Sequence, residues 1–484
     1  MSTLSARSLV FFTSAAVLVL EILAGRMMAP YVGVTLETFT GIIGTVLAGI
    51  SVGSWLGGRI ADRYPPQRVL PIILVTGGIM ALLTYPIITI VGPSSSNSPF
   101  DIVVLASVSF FAPAAVLSAV TPTITKIRLH SLEKTGSVVG RLSAIATAGA
   151  IFGTFVTGFL LVAAWPSRTI AFILGGVLIA AGLASGVRAR VATTTLVVTT
   201  LAVAGLAAAA AVAAPSTCEF ESAYYCVNVD IDADRPSGRV LWLDTLRHSY
   251  VDLNDVTHLE FRYARIFGAV LDSQLPSGPI NSLSIGGGGF TFPRYVNATH
   301  PGGTNTVLEL DPAIVDVATE QLGLDPTTLD IRTGDARVTL QNTRTDIYDV
   351  VIGDAFGGPA VPWHLTTVDF AEEFSARLRT DGFYVLNLID YPPLGFARAE
   401  TATLATVFDN VAVIAPPDYL AGQRGGNFII VASESPLDIP ALESALAERG
   451  SNGVILVGDD LSDFVGDADV LTDDHAPVDQ LITS

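Results

Sequence analysis

Apolar runs of about 20 residues, the length an α-helix needs to cross a bilayer, fill the first 214 of the chain's 484 residues and leave little room there for any other architecture. Seven are legible, at approximately 8–28, 38–58, 69–92, 102–121, 142–164, 168–187 and 194–214, the sixth being the weakest because it is short and rich in Gly and Ala. The first resembles a secretory leader, but six more follow and no small-residue cleavage site is convincing, so it is expected to be retained. Charge changes sign where the apolar runs stop. Residues 1–214 carry 12 Lys/Arg against 5 Asp/Glu, a net of +7, while the remaining 270 carry 14 against 40, a net of −26. This is the pattern of a basic membrane bundle joined to an acidic soluble head. At the least, the acidity keeps the head soluble. It also repels a phosphate backbone, which excludes nucleic acid as a partner and leaves polycationic or neutral small molecules.

Loop charges orient the bundle, because Lys and Arg collect on the cytoplasmic side. Arg59, Arg63 and Arg68 lie between the second and third runs, and Lys126, Arg128, Lys134 and Arg141 between the fourth and fifth. Arg188 and Arg190 lie between the sixth and seventh, whereas the alternate loops hold only Arg168, at a run's edge. A multi-pass protein of the cell membrane with its N-terminus in the cytoplasm and an odd number of spans carries everything after residue 214 to the extracytoplasmic side. Cys218 and Cys226, the only cysteines, follow the last run. In an oxidising compartment they suggest a disulfide; two free buried thiols are the alternative. Two sulfurs without a nearby His are no metal site.

Within the spans, Gly49, Gly53 and Gly57, and likewise Gly149 and Gly153, recur at a spacing of four, which lets helices pack closely in lipid. Glu21 is a carboxylate inside a span, costly unless paired. Arg26 lies near the span's end, so a structural pairing and a role in ligand passage both stay open.

Beyond residue 214 the texture changes. Residues 224–232 and 239–253 read as a small β unit and 257–273 as a helix. Strands are expected at 280–285, 304–310, 329–333, 348–353 and 382–389, with helical patterns between most of them, and 410–416 and 427–433 add two closing strands. The expected domains are therefore a transmembrane bundle over 1–214, a β unit with the cysteine pair over 215–256, and an α/β Rossmann-like domain over 257–484. In such sheets, ligands sit at the C-terminal ends of the strands. The first strand ends in Gly286, Gly287, Gly288 and Gly289, a run that lets backbone approach a ligand. The second ends in Glu309, 23 residues after Gly286, about the offset at which an acid meets ribose hydroxyls. The third ends in Gly334-Asp335-Ala336, where a carboxylate can accept a bond from an adenine amino group. The fourth ends in Gly353-Asp354, followed by the loop Ala355-Phe356-Gly357-Gly358-Pro359. Each acid alone also fits a helix cap; together they point to an adenosyl site.

Taken in order, Ile285-Gly-Gly-Gly, Leu308-Glu309-Leu-Asp311, Gly334-Asp335-Ala336 and Ile352-Gly353-Asp354 resemble the spermidine synthases, the polyamine aminopropyltransferases, and more closely their bacterial membrane-fused members. The resemblance covers roughly residues 224–435. The segments Glu21-Ile-Leu-Ala-Gly-Arg26 and Leu471-Thr-Asp-Asp-His-Ala-Pro477 resemble the fused form too. It implies a class I methyltransferase-like fold and transfer of an aminopropyl group to an amine such as putrescine. The donor would be decarboxylated S-adenosylmethionine, or S-adenosylmethionine, as a co-substrate rather than a tightly bound cofactor. By the same resemblance Gly286, Gly287 and Gly288 line the donor site, Glu309 binds ribose, Asp335 and Ala336 bind adenine, and Asp354 is the catalytic base. No metal is implied; a homodimer, a small amine or polyamine and the lipid bilayer are the expected partners. The chain departs from the family's pattern where amine-binding groups belong. Gly289 stands where an Asp usually follows the glycines, Gly357 where a second Asp lies in the catalytic loop, and Phe261-Arg262 where a Tyr-His pair is used. Asp390 and Glu260 are acids near enough in sequence to replace them, and His248 and His364 are expected to be mainly structural. Two other readings stay open: a methyltransferase using intact S-adenosylmethionine, and a non-catalytic nucleoside or polyamine sensor or transport partner.

Overall fold

The structure is a computed structural model that describes residues 2–96, 98–129, 135–190, 192–358 and 360–483. Lys134 and Pro359, named above, lie outside the described residues. The chain divides into two compact units, one of residues 1–228 with 243–245 and the other of residues 229–242 with 246–484.

The first unit is helical. Its helices are α1 (Thr3–Val32), α2 (Leu36–Arg63), α3 (Pro66–Val91), α4 (Pro99–Arg128), α5 (Thr135–Ala164), α6 (Ser167–Arg188) and α7 (Thr194–Ala213). Six are long and apolar enough to cross a membrane; the apolar part of α7, Val197–Ala213, is shorter than the seventh span read from the sequence. The sixth run, the weakest in the sequence, is a full helix of 22 residues. Single π-helical turns interrupt α4 at Ser107–Phe111 and α5 at Thr157–Leu161. The glycine spacing has a packing cause. A Cβ on Gly53 would lie 2.0 Å from the Ala115 carbonyl oxygen of α4, and one on Gly149 2.2 Å from the Phe11 carbonyl oxygen of α1. Backbones in that contact exclude any larger residue.

Polar contacts mark the two ends of this bundle. At one end Lys126 pairs with Asp62 at 2.7 Å, and Arg128 donates to the Thr3 hydroxyl at 2.7 Å. At the other, Arg26 pairs with Glu221 at 3.3 Å rather than with Glu21. Glu221 also accepts from the backbone N–H of Ser167, the first residue of α6, at 3.1 Å, and Tyr31 meets the Thr217 hydroxyl at 3.0 Å. The segment that follows α7 therefore lies at the end opposite the N-terminus. Cys218 and Cys226 are joined there in a disulfide.

A small antiparallel sheet of order β1-β2-β3-β4 comprises β1 (Phe220–Glu221), β2 (Cys226–Ile231), β3 (Gly238–Leu243) and β4 (Leu246–Asp252). The second unit is built on β5 (Ser282–Ile285), β6 (Asn305–Glu309), β7 (Asp330–Thr333), β8 (Tyr348–Gly353), β9 (Leu378–Asp390), β10 (Asn410–Ala415), β11 (Gly426–Ser433) and β12 (Val454–Leu456). Their order is β12-β10-β11-β9-β8-β5-β6-β7. The run from β7 to β9 is parallel, and β11 enters antiparallel between β9 and β10. Helices cover both faces, so the strands read as nearly continuous apolar runs. On β8, Val351 joins the core with Phe370 and Phe374, while Val350 and Ile352 join Phe267 and Phe292 on the other face. The helices needed below are α8 (Arg262–Gln274), α9 (Thr291–Thr299), α10 (Pro312–Gln321), α11 (Ala336–Leu340), α12 (Val368–Ser375) and α13 (Gly395–Leu404).

One helix start and one added strand stand out against the sequence reading. α8 starts at Arg262 rather than 257, because Asp255 ties up the Thr257 backbone N–H at 3.0 Å in a local turn. β12 carries no legible signal, since three half-exposed residues on a sheet edge have no alternation to read.

Candidate functional site

Parallel pairing aligns the ends of the central strands. Ile285 faces Leu308 on one side and Gly353 on the other, and Glu309 faces Thr333. The next residue of each strand is stitched to its neighbour. Gly286 donates to the Leu308 carbonyl at 2.9 Å, Gly334 to Glu309 at 2.8 Å, and Asp354 to Ile285 at 2.9 Å. The glycine turn, Glu309, Asp335 and Asp354 thus lie along one edge, on both sides of the point where the chain reverses its direction of progress across the sheet. That is where open α/β sheets bind ligands.

Gly286 has φ +96°, and a Cβ there would lie 2.5 Å from the Asp354 carbonyl oxygen, so the first and fourth strand ends touch through backbone. Glu309 folds onto the turn. One carboxylate oxygen accepts the N–H groups of Gly287 at 2.8 Å and Gly288 at 3.1 Å, and the other accepts that of Asp311 at 2.9 Å. Burial pushes this carboxyl up, and the Asp311, Gly287 and Gly288 donors oppose the rise. Asp335 caps α11 through the Val338 N–H at 3.0 Å and meets His364 Nε2 at 2.8 Å, with the buried Ala336 opening the helix. His364 therefore orients Asp335.

Asp354 lies at the head of a cavity of about 330 Å³. It accepts from the Asn387 amide at 2.8 Å, and Asn427 in turn donates to Asn387 at 2.9 Å. Tyr263 supplies a second hydrogen bond to the carboxylate. Loss of solvent pushes the Asp354 carboxyl up to about 6, with the two donors opposing it. His248 also lines the cavity, with Nδ1 2.9 Å from the Ser249 hydroxyl, and burial lowers it to about 4 so that the ring stays neutral.

The other acids proposed from sequence are used elsewhere. Asp390 accepts the N–H groups of Tyr391 at 2.7 Å and Ala397 at 2.8 Å and so anchors the start of α13. Glu260 faces His258 at 3.0 Å, and neither acid lines the cavity. At Gly289 a Cβ would lie 2.6 Å from that of Ser249, whose hydroxyl accepts the Gly289 N–H at 3.0 Å. An Asp has no room at that position. Tyr263, Asn387 and Asn427 were missed by sequence reasoning. Asn387 carried a signal, being a polar residue inside the apolar run Val385-Leu386-Asn387-Leu388; Tyr263 and Asn427 carried none.

A mixed sheet of this order, with its glycine turn and acids at the parallel strand ends, makes this an α/β domain with one candidate ligand edge. No family profile matches the chain. It is 29% identical over 157 residues to a polyamine aminopropyltransferase of Vibrio vulnificus (strain CMCP6), covering 32% of this chain and 50% of the relative. It is 28% identical over 132 residues to a probable polyamine aminopropyl transferase of Bifidobacterium longum (strain NCC 2705), covering 27% of this chain and 29% of the relative. The matched stretches thus span half or less of those curated relatives. Among solved structures it is similar to a probable spermidine synthase from Corynebacterium glutamicum ATCC 13032, at 27% identity and a TM-score of 0.49, over 53% of this chain and 95% of that one. These polyamine aminopropyltransferases and this spermidine synthase are what the chain is similar to.

Proposed function

We propose that the chain is a membrane-anchored transferase that moves the aminopropyl-type chain of an S-adenosyl donor to an amine. The observation that carries this reading is Asp354, a carboxylate raised to about 6 at the head of a cavity and one backbone contact from the glycine turn that Glu309 braces. An ionised carboxylate with an elevated pKa is a competent base near neutral pH. The amine lone pair attacks the donor carbon beside the sulfonium, the C–S bond breaks with its electrons going to sulfur, and methylthioadenosine leaves. The ammonium proton passes to Asp354, which Asn387 and Tyr263 hold in place. Glu309 would take the ribose hydroxyls on its remaining lone pairs, Gly286, Gly287 and Gly288 would line the donor, and Asp335 with Ala336 would meet the adenine.

The same nucleoside half also suits a methyltransferase, and the absence of a second acid from the cavity wall among the described residues favours that alternative. The test is product analysis with the full-length protein, a labelled donor and a panel of amines. Methylthioadenosine as by-product supports the proposal; S-adenosylhomocysteine selects the methyltransferase, and no turnover with any amine leaves a binding role.

For the membrane half, we infer that all seven helices cross and that the soluble unit is extracytoplasmic. The basic loops, the Cys218–Cys226 disulfide and the position of the segment after α7, opposite the N-terminal end of the bundle, support this.

A further inference from the structure

The wall of the cavity beside Asp354 carries the wrong charge for a diamine. Asp354 is the only acid lining it among the described residues, against two guanidinium groups, Arg247 and Arg262. The ammonium groups of an unmodified polyamine would meet a net positive surface there. Neither arginine forms a salt bridge among the described residues. Arg247 lies over the Phe261 ring at 4.8 Å, and Arg262 near the Tyr419 ring at 6.0 Å. Arg247 also helps to hold the Asp232 carboxyl low, after the Tyr250 hydroxyl and nearby backbone N–H groups, without pairing with it. Arg262 opens α8, whose first turn has no acid and whose cap residue makes no side-chain hydrogen bond. A cation is disfavoured at the positive end of a helix, so its fold gives no reason for an arginine there. The two residues are exposed, form no salt bridge among the described residues, and line the same cavity as Asp354. The Asn387 and Asn427 amides line it as well, adding neutral polar groups rather than anionic ones.

We propose that the cavity beside Asp354 recognises a carboxylate on one of the two reactants, through Arg247 and Arg262. This rests on the reading that the cavity receives the acceptor and the reacting end of the donor. Two sources of the carboxylate satisfy the chemistry. If the donor carries it, the donor is intact S-adenosylmethionine; the amine attacks the methylene beside the sulfonium, the C–S bond electrons stay on sulfur, and methylthioadenosine departs. The product then bears an amino-carboxypropyl group. If the acceptor carries it, the acceptor is an amino acid whose terminal amine attacks the decarboxylated donor. In both, the proton released on N-alkylation goes to Asp354, and no further reagent is needed.

The test is calorimetry on the full-length protein in lipid nanodiscs, with two ligand pairs that differ by one carboxylate. These are S-adenosylmethionine against its decarboxylated form, and ornithine against putrescine in the presence of methylthioadenosine. Methylthioadenosine alone, which has no carboxylate, reports the nucleoside site. In at least one pair the carboxylate-bearing member should bind about tenfold more tightly or better, the range of a charge-assisted contact. Arg247→Gln and Arg262→Gln should each erode that preference and leave methylthioadenosine binding unchanged. Preference within the first pair assigns the carboxylate to the donor, and within the second to the acceptor. If both decarboxylated partners bind as well or better, or if the arginine variants change nothing, the carboxylate inference is overturned while methylthioadenosine binding still supports the transferase reading. Absence of methylthioadenosine binding overturns both.

Discussion

In the proposed reaction Asp354 would carry the chemistry because it is poorly solvated, and the same fact makes it a liability to the fold. Its carboxyl rises from an ordinary value of 3.8 to about 6 on folding. A raised acid contributes stability below the unfolded value and loses that contribution as pH rises through the folded one. The ionised form that would accept the amine proton in the proposed reaction is therefore the destabilising form. Asp354→Asn should cut turnover roughly 10²-fold or more and leave methylthioadenosine binding within a few-fold. The variant should melt at least as high as the wild type at pH 8, an advantage that shrinks towards pH 4. In the wild type, kcat/KM should climb with pH up to about 6 and then level, as the base loses its proton; a pH–rate profile without that limb would remove Asp354 from the role. Glu309→Ala should weaken methylthioadenosine binding by about 10- to 100-fold, as loss of a charge-assisted hydrogen bond does. Glu309→Gln retains one accepting oxygen and should fall between. Calorimetry that showed unchanged affinity in Glu309→Ala would move the nucleoside elsewhere.

At the scale of elements, the turn between β5 and α9 sets the spacing of the site. Gly286 needs both a positive φ and the absence of a side chain, since its Cβ would press on the Asp354 backbone. Gly278 has a similar φ of +104° but nothing within 4 Å of its Cβ position. The pair separates strain from contact. Gly278→Ala should cost about 1–3 kcal/mol in backbone strain and retain activity. Gly286→Ala carries the same strain and also displaces Asp354, so turnover should fall much further than the melting temperature would explain. Equal activity in the two variants at matched stability would show that the turn does not position the base. The β4 residues His248 and Ser249 close the other side of the turn, His248 against Gly288, and Ser249 occupies the space into which an acid at residue 289 would project.

For the whole molecule, the proposed sidedness makes a direct prediction. The proposed extracytoplasmic placement of the second unit, which the basic loops and the disulfide support, requires a donor made in the cytoplasm to reach it through or from beyond the membrane. The two ends of the helical unit are distinguished by their contacts, with Thr3, Asp62 and Lys126 at one end and Arg26, Ser167 and Glu221 at the other. A single cysteine at the exposed position Val338, in a background with Cys218 and Cys226 replaced by serine, should react with a membrane-impermeant thiol reagent on intact cells. Reaction only after lysis would place the unit in the cytoplasm.

How far the chain's own order of residues reaches can be judged from particular cases. The helices of the first unit and the sheet of the second were legible because apolar runs of one length and alternating β–α texture are local patterns. The ends of β5, β6, β7 and β8 were legible for the same reason: a strand's last residue and the turn after it are neighbours in sequence, and parallel pairing then brings four such ends to one edge. Long-range approach was not legible. Nothing local links Asn387 or Asn427 to Asp354: Asn387 reaches it because β9 pairs parallel with β8, and Asn427 reaches Asn387 because β11 inserts antiparallel beside β9. Asp390 and Glu260 suit the missing amine contacts by composition, but backbone N–H groups hold the first and His258 faces the second. Arg247 and Arg262 lie on different elements and could not be assigned to one cavity from the sequence. Secondary structure and strand-end chemistry follow from contacts a few residues apart, whereas the charge of a pocket is the sum of side chains that only the packed chain brings together.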